Sequence, residues 1–138
     1  MPLDAASGVY FETHGSGPAV MITLPLMASF NDIFGDGLQS VFEGYVEPLK
    51  DRFSLILIDY PSIGKSRDIA PEELTVDRVC SDLLSVATAA GQERFAYWGY
   101  SWSGAVGLQL ASRTHRLSAL AIGGWPPLDA PYGNILEA

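Results

Sequence analysis

The sequence predicts an α/β fold in which a mostly parallel sheet is flanked by helices. Three observations carry that prediction. Strand-like runs alternate with helix-like runs along the chain, the pattern of βαβ units. Two of the strand-like runs, Ala19–Leu24 with its one Thr and Phe53–Ile58, are apolar almost throughout, as strands covered on both faces must be. Between Val76 and Ala90 the apolar residues Val76, Val79, Cys80, Leu83, Leu84 and Ala87 recur at i, i+3, i+4 and i+7, one buried stripe of a helix.

Each element has a local reason. Val9–Thr13 alternates weakly as a strand and ends at the turn cluster Gly15, Ser16, Gly17, Pro18. Leu38–Leu49 has helical character that Gly44 and Pro48 weaken. The helix Val76–Ala90 takes Thr75 as its N-cap and Gly91 as its stop. Cys80 lies on the apolar stripe and reads as a small buried hydrophobe. Phe95–Gly99 is the next strand, Gly104–Arg113 a helix rich in small residues, and Leu117–Ile122 the last strand. Trp125, Pro126, Pro127 and Pro131 then interrupt regular structure, and Asn134–Ala138 has the character of a helix start.

The 138 residues suit one domain, with a core over about 8–127. With 48% hydrophobic and 17% charged residues, the composition is that of a folded chain. Eight basic against sixteen acidic residues give a net charge of −8, which disfavours nucleic acid and anionic membrane surfaces as partners. One cysteine, Cys80, precludes an internal disulfide and a cysteine-type zinc site, so a reducing, cytoplasmic setting is expected. Met1–Gly8 has no basic n-region or long apolar run, so no signal peptide is expected. No apolar stretch approaches the roughly 18 residues a membrane span needs.

The sharpest chemical signal is Gly99-Tyr100-Ser101-Trp102-Ser103-Gly104, which follows a strand and opens a helix. A nucleophile elbow is so tight a turn that the residues two before and two after the nucleophile must be small. Gly99 and Ser103 meet that condition around Ser101. In the rival register Ser103 is the nucleophile, with Ser101 and Ala105 as small neighbours but no Gly two residues before it. Ser101 is therefore preferred. The plain alternative is that both serines only cap the following helix. A second segment, Asp59-Tyr60-Pro61-Ser62-Ile63-Gly64-Lys65-Ser66, follows the strand Phe53–Ile58. Its Gly-Lys-Ser ending suggests a phosphate loop, but Asp59 stands where that motif requires its first Gly.

Asp59–Ser66 resembles the D-x-P-G-x-G-x-S turn of the α/β-hydrolase family, with Ser62 in place of the usual Gly, and Gly99–Ser103 resembles its G-x-S-x-G elbow, with Ser103 in place of the last Gly. The resemblance runs from about Gly8 to Pro127 in the family's order and spacing. It implies that Ser101 attacks a substrate carbonyl to form an acyl-enzyme, with no metal or organic cofactor. The Trp102 backbone N–H would be one oxyanion-hole donor. The second would come from the loop after Ala19–Leu24, where Pro25 has no N–H and Leu26 is the best substitute. A serine at this position argues against the dehalogenase and epoxide-hydrolase branches, which carry a carboxylate.

The family's chain order is Ser, acid, His. His14 precedes Ser101, and His115 stands between a helix and the last strand, where it reads as a loop or C-cap residue. After Ser101 the acidic residues are Asp129 and Glu137, and Asp129 reads as a solvated loop carboxylate more readily than as a triad acid. The expectation is thus a partial domain, lacking the C-terminal strands and the base, with 128–138 beginning a cap segment. A complementing C-terminal segment or a homo-oligomer would complete it around a small-molecule carbonyl substrate. Two further readings stay open. One is a non-catalytic small-ligand binder with an apolar rim of Trp102, Trp125, Leu26 and Met27. The other is an acyltransferase or C–C bond hydrolase on the same scaffold.

Overall fold

The computed structural model describes residues 3–23 and 42–124. Five strands form one sheet: β1 (Phe11–Gly15), β2 (Ala19–Thr23), β3 (Ser54–Ile58), β4 (Phe95–Tyr100) and β5 (Leu117–Gly123). Their spatial order is β1-β3-β2-β4-β5. β1 runs antiparallel to β3, and the other three pairings are parallel. The single-turn helix α1 (Glu47–Leu49) continues a π-helical turn at Phe42–Val46; α2 (Val76–Ala89) and α3 (Trp102–Ala111) are the longer helices. The mostly parallel sheet flanked by helices is the architecture the sequence predicts.

Strand alternation sorts the core into two layers. Ala19 and Met21 of β2, Ile56 and Ile58 of β3, and Phe95 and Tyr97 of β4 face α2 and α3, where they meet Val79, Leu83, Val86, Val106 and Leu110. The alternate residues Ile22, Leu55 and Leu57, with Trp98 beside them, face the 42–49 segment through Val46, Tyr45 and Leu49. This is why Ser54–Ile58 carries no polar residue after its first position. α2 is held by the stripe its spacing predicts, and Leu83 at its centre is fully buried. Truncating Leu83 to Ala would cost about 2–5 kcal/mol. The Thr75 side chain accepts from the Arg78 N–H at 3.1 Å, capping the helix. Val76, expected on the stripe, is instead exposed in the first turn.

Several boundaries move for identifiable reasons. β1 starts at Phe11, not Val9, because the Tyr10 N–H is taken by a side chain: it donates to Ser66 Oγ at 2.8 Å, while the Tyr10 carbonyl still accepts from the Asp59 N–H at 3.0 Å in the register of the β1–β3 pairing. The expected helix Leu38–Leu49 is reduced, within the described residues, to the turns at 42–49, with Pro48 in the first turn of α1. α3 starts at Trp102, two residues before the expected Gly104, because the elbow is complete at Ser101. A 3-10 turn at Pro71–Glu73 has no counterpart in the sequence reading. Trp125, the prolines after it and the possible cap segment 128–138 lie outside the described residues.

The chain passes from β2 to β3 on one side of it, then from β3 to β4 on the other. β2 and β4 therefore flank the point where the strand order reverses. In such sheets the crevice for a ligand lies beyond the carboxyl ends of those two strands. Thr23, the last residue of β2, pairs with Gly99 near the end of β4.

Candidate active site

Ser101 sits at that crevice, between the end of β4 and the start of α3. Its backbone has φ 59° and ψ −126°, a conformation L-residues adopt at a cost of about 1–3 kcal/mol. The turn is pinned on both sides. The Ser101 N–H donates to the Gly123 carbonyl at the end of β5 at 2.8 Å, and the Ser101 carbonyl accepts from the Gly104 N–H at 2.9 Å. Gly99 has to be glycine: a β-carbon there would stand 2.6 Å from the Ser103 carbonyl oxygen. Gly107 meets a similar limit one helical turn on, where a β-carbon would lie 2.7 Å from the Tyr97 ring. These two glycines let α3 press against β4, which aims the turn.

The two serines differ in access. Ser101 is partly exposed, whereas Ser103 is fully buried. Ser103 Oγ lies 2.9 Å from the Tyr60 hydroxyl. It is enclosed in the core, whereas the rival register would need it open to a substrate. Ser101 makes no side-chain capping bond to α3, so the plain capping reading has no geometric support.

Trp102 is the first residue of α3, and the N–H groups of a first turn have no intrahelical acceptor. That N–H stands at the positive end of a ten-residue helix, a favourable place for developing negative charge. The Trp102 indole packs edge-on to the Tyr60 ring, with centroids 5.0 Å apart and planes at 81°. It also lines an apolar groove of about 500 Å³ with Leu74, Val76, Val79, Cys80 and Val106. Leu26, the other expected oxyanion donor, lies outside the described residues, as do Met27, Trp125, Asp129 and Glu137.

Below the elbow is a buried group of hydroxyls that the sequence reading missed. Thr23 Oγ1 donates to the Tyr97 hydroxyl at 2.9 Å, and Tyr97 donates to the Ser103 carbonyl at 2.7 Å. The Tyr60 hydroxyl lies 3.1 Å from that of Tyr97. Burial pushes both phenols above their ordinary value, so both stay protonated. The available signal was a lone Thr closing an apolar strand and a Tyr at the inward position between Phe95 and Gly99.

The Asp59–Ser66 turn is closed from within. Asp59 is fully buried, and its carboxylate accepts from the Lys65 N–H at 3.1 Å. The Ser66 hydroxyl donates to the Asp59 carbonyl. Ser62, where the related turn usually has Gly, takes a left-handed φ of 65°. The Lys65 ammonium lies over the Tyr10 ring, 5.1 Å from its centroid. With its backbone N–H and its ammonium so engaged, Lys65 is not arranged as a phosphate-loop lysine.

Neither histidine stands near Ser101. His14 is on β1, three strand spacings from β4, or roughly 14 Å. His115 is exposed beyond the far end of α3, which is about 15 Å long. The Cys80 thiol is buried, and burial raises its pKa. Among the described residues no three His, Cys, Asp or Glu side chains are grouped to hold a metal ion, and no helix is long and apolar enough to cross a membrane.

Comparison with known proteins agrees with the fold. Residues 34–131 match the family model of the alpha/beta hydrolase fold. An Agrobacterium fabrum protein that carries the name carbamate hydrolase RutD is 25% identical over 131 residues, covering 94% of this chain and 48% of its own length. An alpha/beta hydrolase from Sphaerobacter thermophilus superposes with a TM-score of 0.69 at 24% identity, over 94% of this chain and 49% of the other. An alpha/beta fold family hydrolase from Bacillus anthracis gives 0.72 at 21%, over 88% and 42%. The chain thus spans about half the length of the curated relatives it matches. On the family match over most of its length, and on the strand order and elbow beneath it, the chain belongs to the alpha/beta hydrolase fold family.

Proposed function

We propose that Ser101 is the nucleophile of a serine hydrolase that cleaves an ester, amide or related carbonyl bond. The observation that carries the reading is the strained backbone of Ser101, held at the carboxyl ends of β2 and β4 with its side chain spared any capping role. A carbamate carbonyl, the kind named for the Agrobacterium fabrum relative, falls in the same class.

In this reading Ser101 Oγ attacks the carbonyl carbon and gives its proton to a base. The carbonyl oxygen takes the negative charge and is met by the Trp102 N–H and, from the loop after β2, the Leu26 N–H. Each such donor contributes roughly 3 kcal/mol to the transition state. Collapse expels the alcohol or amine with the transferred proton, and water then releases the acid from the acyl-enzyme. The step needs no cofactor. His14 and His115 are both remote from Ser101, so in this reading neither is placed to act as the base.

That same remoteness favours a second reading, a binding module that keeps the elbow and the Trp102 groove and performs no chemistry. Turnover of p-nitrophenyl acetate by the full natural gene product separates the two. Hydrolysis that Ser101→Ala abolishes supports the enzyme. Hydrolysis that survives Ser101→Ala overturns Ser101 as nucleophile, and no hydrolysis by either form favours the module.

A further inference from the structure

We propose that Tyr60 is a positioning residue for Ser101, acting through its hydrogen bond to Ser103; the inference rests on the reading of Ser101 as nucleophile. Four buried hydroxyls meet beneath the elbow, each from a different element. Thr23 ends β2, Tyr60 follows β3, Tyr97 lies on β4, and Ser103 is in the first turn of α3. Thr23, Tyr60, Tyr97 and Ser103 are all 2% exposed or less. Two of these contacts fall on Ser103 itself: Tyr97 on its carbonyl at 2.7 Å and Tyr60 on its hydroxyl at 2.9 Å.

Proton counting shows why Tyr60 matters. Tyr97 has one proton, and it is committed to the Ser103 carbonyl. The Tyr60–Tyr97 contact is therefore served by the Tyr60 proton, and the Tyr60 hydroxyl stands within hydrogen-bond reach of Ser103 Oγ as well. Replacing the Tyr60 hydroxyl by hydrogen takes one partner from Ser103 Oγ and one from Tyr97 in a single step.

Ser103 is two residues beyond Ser101, in the turn whose first N–H is that of Trp102. Rotation of this turn moves the nucleophile and the Trp102 N–H together. Productive sites tolerate shifts of only about 0.5 Å or 10–20°. The strained φ of Ser101 supplies a standing tendency to relax, and the clamp on Ser103 opposes it. The Tyr60 ring also carries the Trp102 indole edge-on, so one side chain braces both residues that follow Ser101.

A double-mutant cycle on the full natural gene product, with p-nitrophenyl acetate as probe, tests this. Tyr60→Phe should lower kcat about tenfold and leave KM within about twofold, the signature of a lost transition-state arrangement. Ser103→Ala should do the same. In the Ser103→Ala background, Tyr60→Phe should lower kcat less than about twofold further, because its bond to Ser103 is already gone and only the contact with Tyr97 is left to lose. Active sites counted by reaction with a fluorophosphonate keep loss of folded enzyme apart from slower turnover. If Tyr60→Phe does not fold, the kcat and KM prediction for Ser103→Ala stands alone. Equal losses from Tyr60→Phe in both backgrounds, an unchanged kcat, or a loss matched by fewer active sites would overturn the proposal. A Ser101→Ala variant that stays active overturns the nucleophile reading and this inference with it. An inactive Ser101→Ala beside a fully active Tyr60→Phe overturns the positioning role alone.

Discussion

Gly99 and Ser103 meet across the elbow so closely that a β-carbon on Gly99 would lie 2.6 Å from the Ser103 carbonyl oxygen. The obstacle is backbone in the first turn of α3, which cannot swing aside as a side chain would. Gly99→Ala must therefore push α3 away from β4 or deform the turn. Overpacking of this kind costs about 1–3 kcal/mol. A urea titration should show a loss in that range, and a stability unchanged by Gly99→Ala would mean the elbow is slacker than described.

Ser101 itself is held at φ 59°. Glycine adopts that conformation without the steric cost serine bears. Ser101→Gly is expected to stabilise the fold by about 1 kcal/mol, while Ser101→Ala, which keeps its β-carbon, should not. Thermal melts of the two variants side by side provide the check, and a shift of a few degrees separates them. Equal melting temperatures would argue against stored strain at this position.

The N-terminal segment is tied to α2 by one carboxylate. Asp4 accepts from the Ser85 hydroxyl at 2.6 Å, as well as from the Ser7 hydroxyl and amide. Burial pushes its pKa up, but these hydrogen bonds outweigh burial and leave it below its ordinary 3.8. A carboxyl with a lowered folded pKa contributes stability that is fully present above 3.8 and is lost as pH falls through the folded value. Ser85→Ala should cost about 1 kcal/mol near neutral pH. The gap to wild type should hold down to about pH 5 and narrow below 3.8. Melts across that range would show it; a gap constant to about pH 3 would detach Asp4 from the effect.

The 138 residues expressed alone should hydrolyse p-nitrophenyl acetate little above buffer, because neither His14 nor His115 lies near Ser101. Serine without a base is a poor nucleophile. Robust turnover by this chain, abolished by Ser101→Ala, would show that a base is supplied from within it.

The sheet was legible because its signals are local and repeated. FSLILI suits a strand buried on both faces, and the Val79, Leu83 and Ala87 stripe has one face to bury. The elbow was legible because a strand, a tight turn and a helix each left a residue-level mark around Ser101. Less visible was what depends on partners far away in sequence. The start of β1 is set by Ser66, fifty-six residues from Tyr10. The clamp on Ser103 needs Tyr60, forty-three residues earlier, on another element. A Tyr in an apolar strand looks like core until its hydroxyl is seen to reach a carbonyl.

The central claim is that Ser101 Oγ is the atom that bonds to substrate. Treating the full natural gene product with a fluorophosphonate and mapping the modified peptide by mass spectrometry tests it most directly. The account expects a single adduct on Ser101, absent from Ser101→Ala. An adduct on Ser103, or none in a protein that hydrolyses p-nitrophenyl acetate, would contradict it.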